Sequence, residues 1–211
     1  MKNNSNKSIL EKLQQLESQY KTKYSVKMDE KPKFLQIERT KFVLKGGEEV
    51  VREKLVKGGK DGSSSFILPI LEDSGNILLV CEPRVFTKRG VGLAVPAGYV
   101  ESGEQPIKSA VRELKEETGL SCKSIKLMHK FYQDMGCSSA INYVFIAKGC
   151  KKVCGQKLDK DEYISTFECS INDALQLIRC GYICDAPSII AIESYARSLG
   201  KLQSLEKGEK V

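Results

Sequence analysis

Ile9, Leu10, Leu13, Leu16 and Tyr20 recur at helical spacing in a polar stretch without glycine, which predicts an amphipathic helix over about residues 6 to 22. Two runs rich in β-branched residues follow, FLQIERTKFVL (34 to 44) and EEVVREKLV (48 to 56), joined by KGG and read as a hairpin. KGGKDGSSS (57 to 65) is a Gly and Ser loop; it lacks the order of glycines followed by Lys and Ser or Thr of a phosphate-binding loop, and so reads as a linker. Beyond it SFILPIL and NILLVCE, separated by EDSG, predict a second hairpin, and VGLAVPAGYV continues extended to Val100. A helix is expected at about 105 to 118, ended by Gly119. Strands are expected at 123 to 132, 141 to 148 and 163 to 168, with helices at 171 to 180 and 186 to 199. This order predicts an α/β (α+β) sandwich with a mixed sheet, carrying an N-terminal helix and β-hairpin as an extension.

Composition narrows the class. With 211 residues and 41% hydrophobic content, one substantial core is affordable. The expected organisation is an extension over residues 1 to 60, a main domain over 61 to 202 and a polar tail over 203 to 211. No run of about 18 apolar residues occurs and MKNNSNKSIL lacks the apolar core of a secretory signal, so no membrane partner and a cytoplasmic location are expected. The net charge of +7 lies wholly in residues 1 to 60, where fifteen Lys or Arg face eight Asp or Glu. These charges are dispersed and not interleaved with aromatic residues, which reads as a solvated surface rather than a nucleic-acid footprint. Eight scattered cysteines read as reduced thiols; Cys150 and Cys154 share a three-residue gap with Cys180 and Cys184, which makes zinc the sharper alternative.

The densest chemistry lies in GYVESGEQPIKSAVRELKEETGL, residues 98 to 120. On the predicted helix Glu113, Glu116 and Glu117 fall at i, i+3 and i+4, so three carboxylates share one face. Like charges at that spacing repel, and either water or a cation answers them. Gly98 permits close approach of the backbone, Glu104 stands at the helix start and Arg112 lies beside the carboxylates. Carboxylate oxygens suit hard octahedral cations, which points to Mg²⁺ or Mn²⁺.

The spacing G-x5-E-x7-R-E-Leu-x-E-E-x-G-Leu, filled at every position from Gly98 to Leu120, resembles the Nudix box of the Nudix hydrolases. The resemblance implies hydrolysis of a nucleoside diphosphate linked to another moiety. It implies Glu113 and Glu117 as principal metal ligands, Glu116 as a third ligand or water-activating base, Arg112 as orienting cation, Glu104 as a supporting acid, and the carbonyl of Ala97 or Gly98 as a further ligand. It extends over most of residues 34 to 199, toward the ADP-ribose pyrophosphatase-like members. ILLVCEPR resembles their strand ending in Gln-Tyr-Arg, with Arg84 in the arginine's place, and VPAGYVE resembles their LPAGKIE. KLDKDEYI resembles their acidic loop, with Glu162 as a further metal carboxylate; Asp161 and Asp159 join Glu116 as candidate bases. Arg84 and Arg89 are candidate diphosphate clamps, Gly98 and Gly136 candidate substrate contacts, and Tyr132, Phe131 and Phe86 candidate base-stacking rings. In such enzymes the N-terminal strands often cross to a second subunit, which implies a homodimer.

Several positions depart from that subgroup. Its proline past the box is absent from YQDMGCSSA, where Met135 precedes Gly136; a loop glutamate is replaced by Ala140, an acidic residue by Lys160, and a base-holding glutamate by Ala94. The metal-binding positions are kept while those around the substrate differ. The expected substrate is ADP-ribose or a related nucleotide sugar. The alternatives are another nucleotide diphosphate, such as GDP-mannose or a free nucleotide, and a non-catalytic nucleotide- or RNA-binding module on the same scaffold.

Overall fold

The computed structural model describes residues 4–20, 34–58 and 61–201. The N-terminal helix α1 spans Asn4–Gln19; residues 21 and 22 of the expected helix and the tail over 203 to 211 lie outside the described residues. The first hairpin is β1 (Leu35–Val43) and β2 (Glu49–Lys57), a separate two-stranded antiparallel sheet. The main sheet contains β3 (Ser64–Leu71), β4 (Ile77–Arg84), β5 (Gly90–Ala94), β6 (Ala97–Tyr99), β7 (Leu120–Ser121), β8 (Ser124–Tyr132), β9 (Ile141–Lys152) and β10 (Ser165–Cys169). Its helices are α2 (Pro106–Thr118), α3 (Ile171–Arg179) and α4 (Ala186–Ser198).

Strand alternation divides the core into two layers. Leu68, Ile70, Val144 and Ile146 point to one face, where α1, α3 and α4 bury Leu13, Ala174, Leu177 and Ile192. Ile67, Phe145 and Ala147 point to the other, where α2 brings Ala110 and Leu114. β3 and β9 run parallel while β4, β6 and β8 are antiparallel to their neighbours, so the sheet is mixed and helices cover both faces.

The extended stretch expected over 91 to 100 is two strands. β5 pairs with β4, β6 pairs with β3, and the chain changes partner at Val95 and Pro96. Pro96 has no N–H to give a ladder, but its carbonyl accepts from Ile67 N at 2.9 Å. Val95 N donates to Ser188 Oγ at 3.0 Å, and that hydroxyl donates to Asp185, the N-cap of α4, at 2.6 Å. The corner is therefore clamped by the last helix.

Within the expected extension the two elements behave differently. α1 buries Ile9 and Leu13 in the main core, whereas every residue of β1 is exposed. The hairpin touches the rest through Leu55 N donating to Cys137 O at 2.7 Å, a Lys57–Gln133 contact, and the Phe34–Tyr99 ring pair at 6.0 Å. Its cross-strand ion pairs, Arg39–Glu53, Lys41–Glu49 and Lys54–Glu38, are all exposed and worth little each.

Leu13, 1% exposed, tests the docking of α1. Leu13→Ala should lower stability by about 2–5 kcal/mol in denaturant unfolding, because the cavity it leaves is closed by a sheet that cannot collapse. An unchanged midpoint would mean that α1 is undocked in solution.

Candidate active site

The site forms where the sheet splits. The β3–β4 pair is joined only at Ile70 and Ile77, next to its turn; further along, β4 takes β5 and β3 takes β6. β6 lays Ala97 opposite Phe66 and Gly98 opposite Ser65. α2 then packs over this split. Ser65 Oγ donates to Pro106 O at 2.9 Å and Ser109 Oγ to Tyr99 O at 3.2 Å, fixing the first turn of the helix on the strands.

The far end of α2 is closed as firmly. Gly119 takes φ 67, and its N–H donates to Lys115 O at 2.8 Å. A Cβ there would lie 2.2 Å from the carbonyl oxygen of Cys154, so both conformation and space require glycine. The last carbonyls of the helix, which have no intrahelical partner, are met by the following loop. Glu116 O accepts from Lys157 N at 2.8 Å, Glu117 O from Gln156 Nε2 at 2.6 Å, and Thr118 O from Lys152 Nζ at 2.7 Å. Gln156 Nε2 also donates to Ile164 O at 3.2 Å, which ties the loop carrying Glu162 to the end of α2.

Between these fixed ends the carboxylates converge. Glu117 is 5% exposed and accepts from Ala97 N at 3.0 Å. Burial pushes its carboxyl up to about 9; the Ala97 hydrogen bond opposes this, while Glu113, Glu82 and Glu162 add to it. Glu113 and Glu82 are also raised, chiefly by burial, and each feels the charge of Glu162. Four carboxylates thus repel one another across the split.

Arg112 balances part of this charge. Its Nε and Nη2 donate to Glu104 at 3.1 and 3.0 Å, its Nη1 to Glu113 at 2.6 Å and Glu116 at 3.1 Å, and its Nη2 to Tyr99 O at 3.1 Å. Glu104 also accepts from Glu101 N at 3.0 Å, which holds the turn before the helix. Gly98 lies directly against Glu113: a Cβ at that position would stand 2.0 Å from the carboxylate carbon. The glycine is needed for this approach.

Glu162 closes its own turn by accepting from Asp159 N at 2.9 Å. It shares a cavity of about 530 Å³ with Glu82, Arg84, Asp161, Tyr163 and Tyr20, and Arg84 Nη2 donates to Glu82 there at 2.5 Å. Glu104, Arg112, Glu113, Glu116, Glu117, Ala97 and Gly98 are thus assembled around α2, with Glu162 and Arg84 alongside. Two other expected residues stand elsewhere. Arg89 pairs with Glu17 at 3.1 Å and lies 4.1 Å over the Tyr182 ring, in a separate cleft of about 1020 Å³. Gly136 is on the exposed β8–β9 loop, where its N–H donates to Asp134 at 2.9 Å.

Among the described residues no three His, Cys, Asp or Glu side chains already form a metal-holding group. The donor set nevertheless suits a hard cation: it is all oxygen, partly desolvated, and mutually repulsive without one. The cysteines are not brought together. Cys150 is buried with α2 on one face of the sheet, while Cys180 and Cys184 line the Arg89 cleft near the helices of the other. All eight are free thiols.

The residues sequence reasoning passed over are Glu82, Tyr20 and Tyr163. Glu82 stands where the resembled strand carries glutamine, an exchange of amide for carboxylate that was a readable signal. Tyr163 lay inside the quoted acidic loop. In the sequence Tyr20 reads only as the last member of an apolar stripe. Of the candidate base-stacking rings, Phe131 packs on the core, while Tyr132 and Phe86 are exposed.

The NUDIX domain model matches residues 62–184, more than half of the chain. This chain belongs to the NUDIX family. Among the proteins it is similar to, an ADP-ribose pyrophosphatase of Bacillus subtilis (strain 168) is 34% identical over 122 residues, covering 57% of this chain and 65% of that protein. A methanol dehydrogenase activator of Bacillus methanolicus is 37% identical over 124 residues, covering 58% and 66%. The chain thus spans just under two thirds of the length of each. A solved structure described as an ADP compounds hydrolase has the same fold, with a TM-score of 0.67 at 18% identity over 84% of this chain and 95% of that one. The match is thus to a NUDIX fold in which a mixed sheet carries helices on both faces.

A buried carboxyl with a folded value of about 9 holds a proton that the unfolded chain releases near 4.5. Between those values the native state binds more protons, so stability falls as pH rises, by at most about 1.4 kcal/mol per pH unit per proton. Unfolding of EDTA-treated protein at pH 5, 7 and 9 should show this decline, and Glu117→Gln should flatten it. A parent whose stability rises across that window would contradict the burial of Glu117.

Proposed function

We infer that this NUDIX protein is a pyrophosphohydrolase that cleaves the diphosphate bond of a nucleoside diphosphate linked to another moiety, with ADP-ribose or a related nucleotide sugar as substrate. The observation carrying this reading is the seating of Glu117 on Ala97 N and of Glu113 against Gly98, with Glu116 on the same helix and Glu162 acting electrostatically on both. The names of the ADP-ribose pyrophosphatase and ADP compounds hydrolase relatives support the substrate class.

Glu113, Glu117 and Glu162, with the carbonyl of Ala97, would hold Mg²⁺ or Mn²⁺. Bound there, such an ion supplies charge neutralisation for the diphosphate and acidifies a water. Arg84, 57% exposed and anchored by Glu82, offers its remaining guanidinium donors to the phosphates. Arg112 keeps Glu113 and Glu116 oriented on α2, and Glu104 fixes Arg112 in turn. Glu116 has the most solvent access of the three box carboxylates and takes the proton of the attacking water, with Asp161 and Asp159 as the other candidates. Water oxygen bonds to phosphorus, the bridging P–O bond breaks, and its electrons stay on the departing phosphate; both products are phosphate monoesters.

Around the substrate, Ala140 departs from the acidic residue of the resembled subgroup. Ala140 is fully buried and its N–H is taken by Ser138 Oγ at 3.1 Å, so no larger acidic side chain fits there without displacing the loop. Chromatographic product analysis over ADP-ribose, other ADP-sugars, GDP-mannose and free nucleotides, with Mg²⁺ and with Mn²⁺, tests the reading. Glu117→Gln should lose at least about 100-fold in kcat while its circular dichroism matches the parent. Equal rates on every active substrate would remove Glu117 from the reaction.

A homodimer formed through the first hairpin belongs to the same reading. Leu35, Ile37, Val43 and Val51 are exposed on one face of β1–β2 and interspersed there with the Arg39–Glu53 and Lys41–Glu49 ion pairs, a mixed apolar and charged surface suited to pairing with a second copy. Light scattering should give a dimeric mass for the parent and a monomeric one for the Ile37→Glu, Val51→Glu double variant. A monomeric parent at micromolar concentration would refute it.

A further inference from the structure

The cavity that holds Arg84 and Glu162 has a wall that the reaction just described leaves unused. Tyr163 reaches it from the loop before β10, and Tyr20 from the residue just past the end of α1. The two ring centroids are 6.4 Å apart with planes at 58°, the tilted arrangement aromatic pairs prefer. Tyr163 is 59% exposed, so its ring is largely uncovered, whereas Tyr20 is partly buried with its back against the α1 side of the core. One ring thus offers a surface and the other a fixed edge.

α1 is held at a second point nearby, through Glu17 on Arg89 of the β4–β5 loop. It therefore meets both the loop that carries Tyr163 and the β4–β5 loop that follows Arg84. At about 530 Å³ the cavity lies within the range of about 300–1,000 Å³ usual for small-molecule sites. It combines a guanidinium for phosphate, carboxylates and an aromatic wall. A flat heterocycle joined to a phosphate satisfies all of that lining, and a bare sugar phosphate leaves the rings wet.

We propose that Tyr20 and Tyr163 form a base-binding wall in this cavity, which makes α1 a substrate-selecting element: a nucleobase lies on Tyr163 with its edge against Tyr20 while its phosphate meets Arg84. This rests on reading the cavity as the nucleoside diphosphate site. Every base has a π-face, so stacking of this kind separates nucleotides from plain sugar phosphates rather than one base from another.

Equilibrium binding of AMP and of ribose 5-phosphate, measured by calorimetry without turnover, tests it on the parent and on Tyr20→Ala, Tyr20→Phe and Tyr163→Ala. Both alanine variants should weaken AMP by about tenfold or more and leave ribose 5-phosphate within about twofold, while Tyr20→Phe keeps both affinities. Tyr163 is exposed, so its truncation reports on the wall even where Tyr20→Ala disturbs the docking of α1. Unchanged AMP affinity in both alanine variants, equal weakening of the two probes, or no AMP binding by the parent overturns the wall. The two readings fail separately. Hydrolysis of a nucleotide sugar with AMP binding indifferent to the tyrosines removes only the wall, and tyrosine-dependent AMP binding without any hydrolysis removes only the activity.

Discussion

Burial of the Glu117 carboxylate against a single backbone N–H, with three other carboxylates acting on it, is the constraint around which the rest of the site is arranged. Taking a charged group out of water costs several kcal/mol unless it is paired, and one neutral hydrogen bond recovers only a fraction. That cost falls most heavily on Glu117, with Glu113 and Glu82 also desolvated, and hydrogen bonds fix the backbone around it. The split of the sheet supplies the N–H of Ala97, the corner at Val95 is clamped by Ser188, and the first turn of α2 is pinned by Ser65. Without those fixtures the helix could rotate Glu117 into solvent.

Arg112 shows why the arrangement tolerates so much like charge. Its planar guanidinium engages Glu104, Glu113 and Glu116 together, a geometry that lysine's point charge could not reproduce. It makes no hydrogen bond to Glu117, Glu82 or Glu162. The charge is thus divided: Glu104, Glu113 and Glu116 are paired with Arg112, whereas the repulsion that Glu82 and Glu162 add at Glu117 is relieved by protonation or by a cation. That division follows from the helix, since residues at i+3 and i+4 from Glu113 flank opposite sides of one arc.

The box was legible because its residues lie within one helix and one turn, where spacing in sequence fixes spacing in space. Gly98 could be read as permitting close approach, and Glu113 is what approaches it. The elements were legible for the same reason, with Pro96 the main exception: an apolar extended run gave no sign that its two halves would pair with different strands. Glu82, Arg89 and Tyr20 escaped because their positions depend on contacts made across the fold. Arg89 looked equivalent to Arg84 along the chain, yet lies in a loop aimed at Glu17 and Tyr182. Glu82 and Glu162, eighty residues apart in sequence, meet only because β10 pairs alongside β4.

That pairing also explains why α1 bears on function despite lying far from the box. β10 and β4 form the side of the sheet beyond the split, and the loops at their ends must be held at a defined separation for Arg84 and Glu162 to face one cavity. Gln156 secures one loop to α2, and the β4–β5 turn is closed by its own strands, with Arg84 opposite Gly90 and Thr87 Oγ1 donating to Arg84 O at 2.8 Å. α1 reaches both from the opposite face, through Glu17 on Arg89 and Tyr20 on Tyr163, and its own position is set by burying Ile9 and Leu13. An apolar stripe that reads as ordinary helix packing therefore carries a second consequence, since the same docking that completes the core places Tyr20 on the wall of the cavity beside the carboxylates.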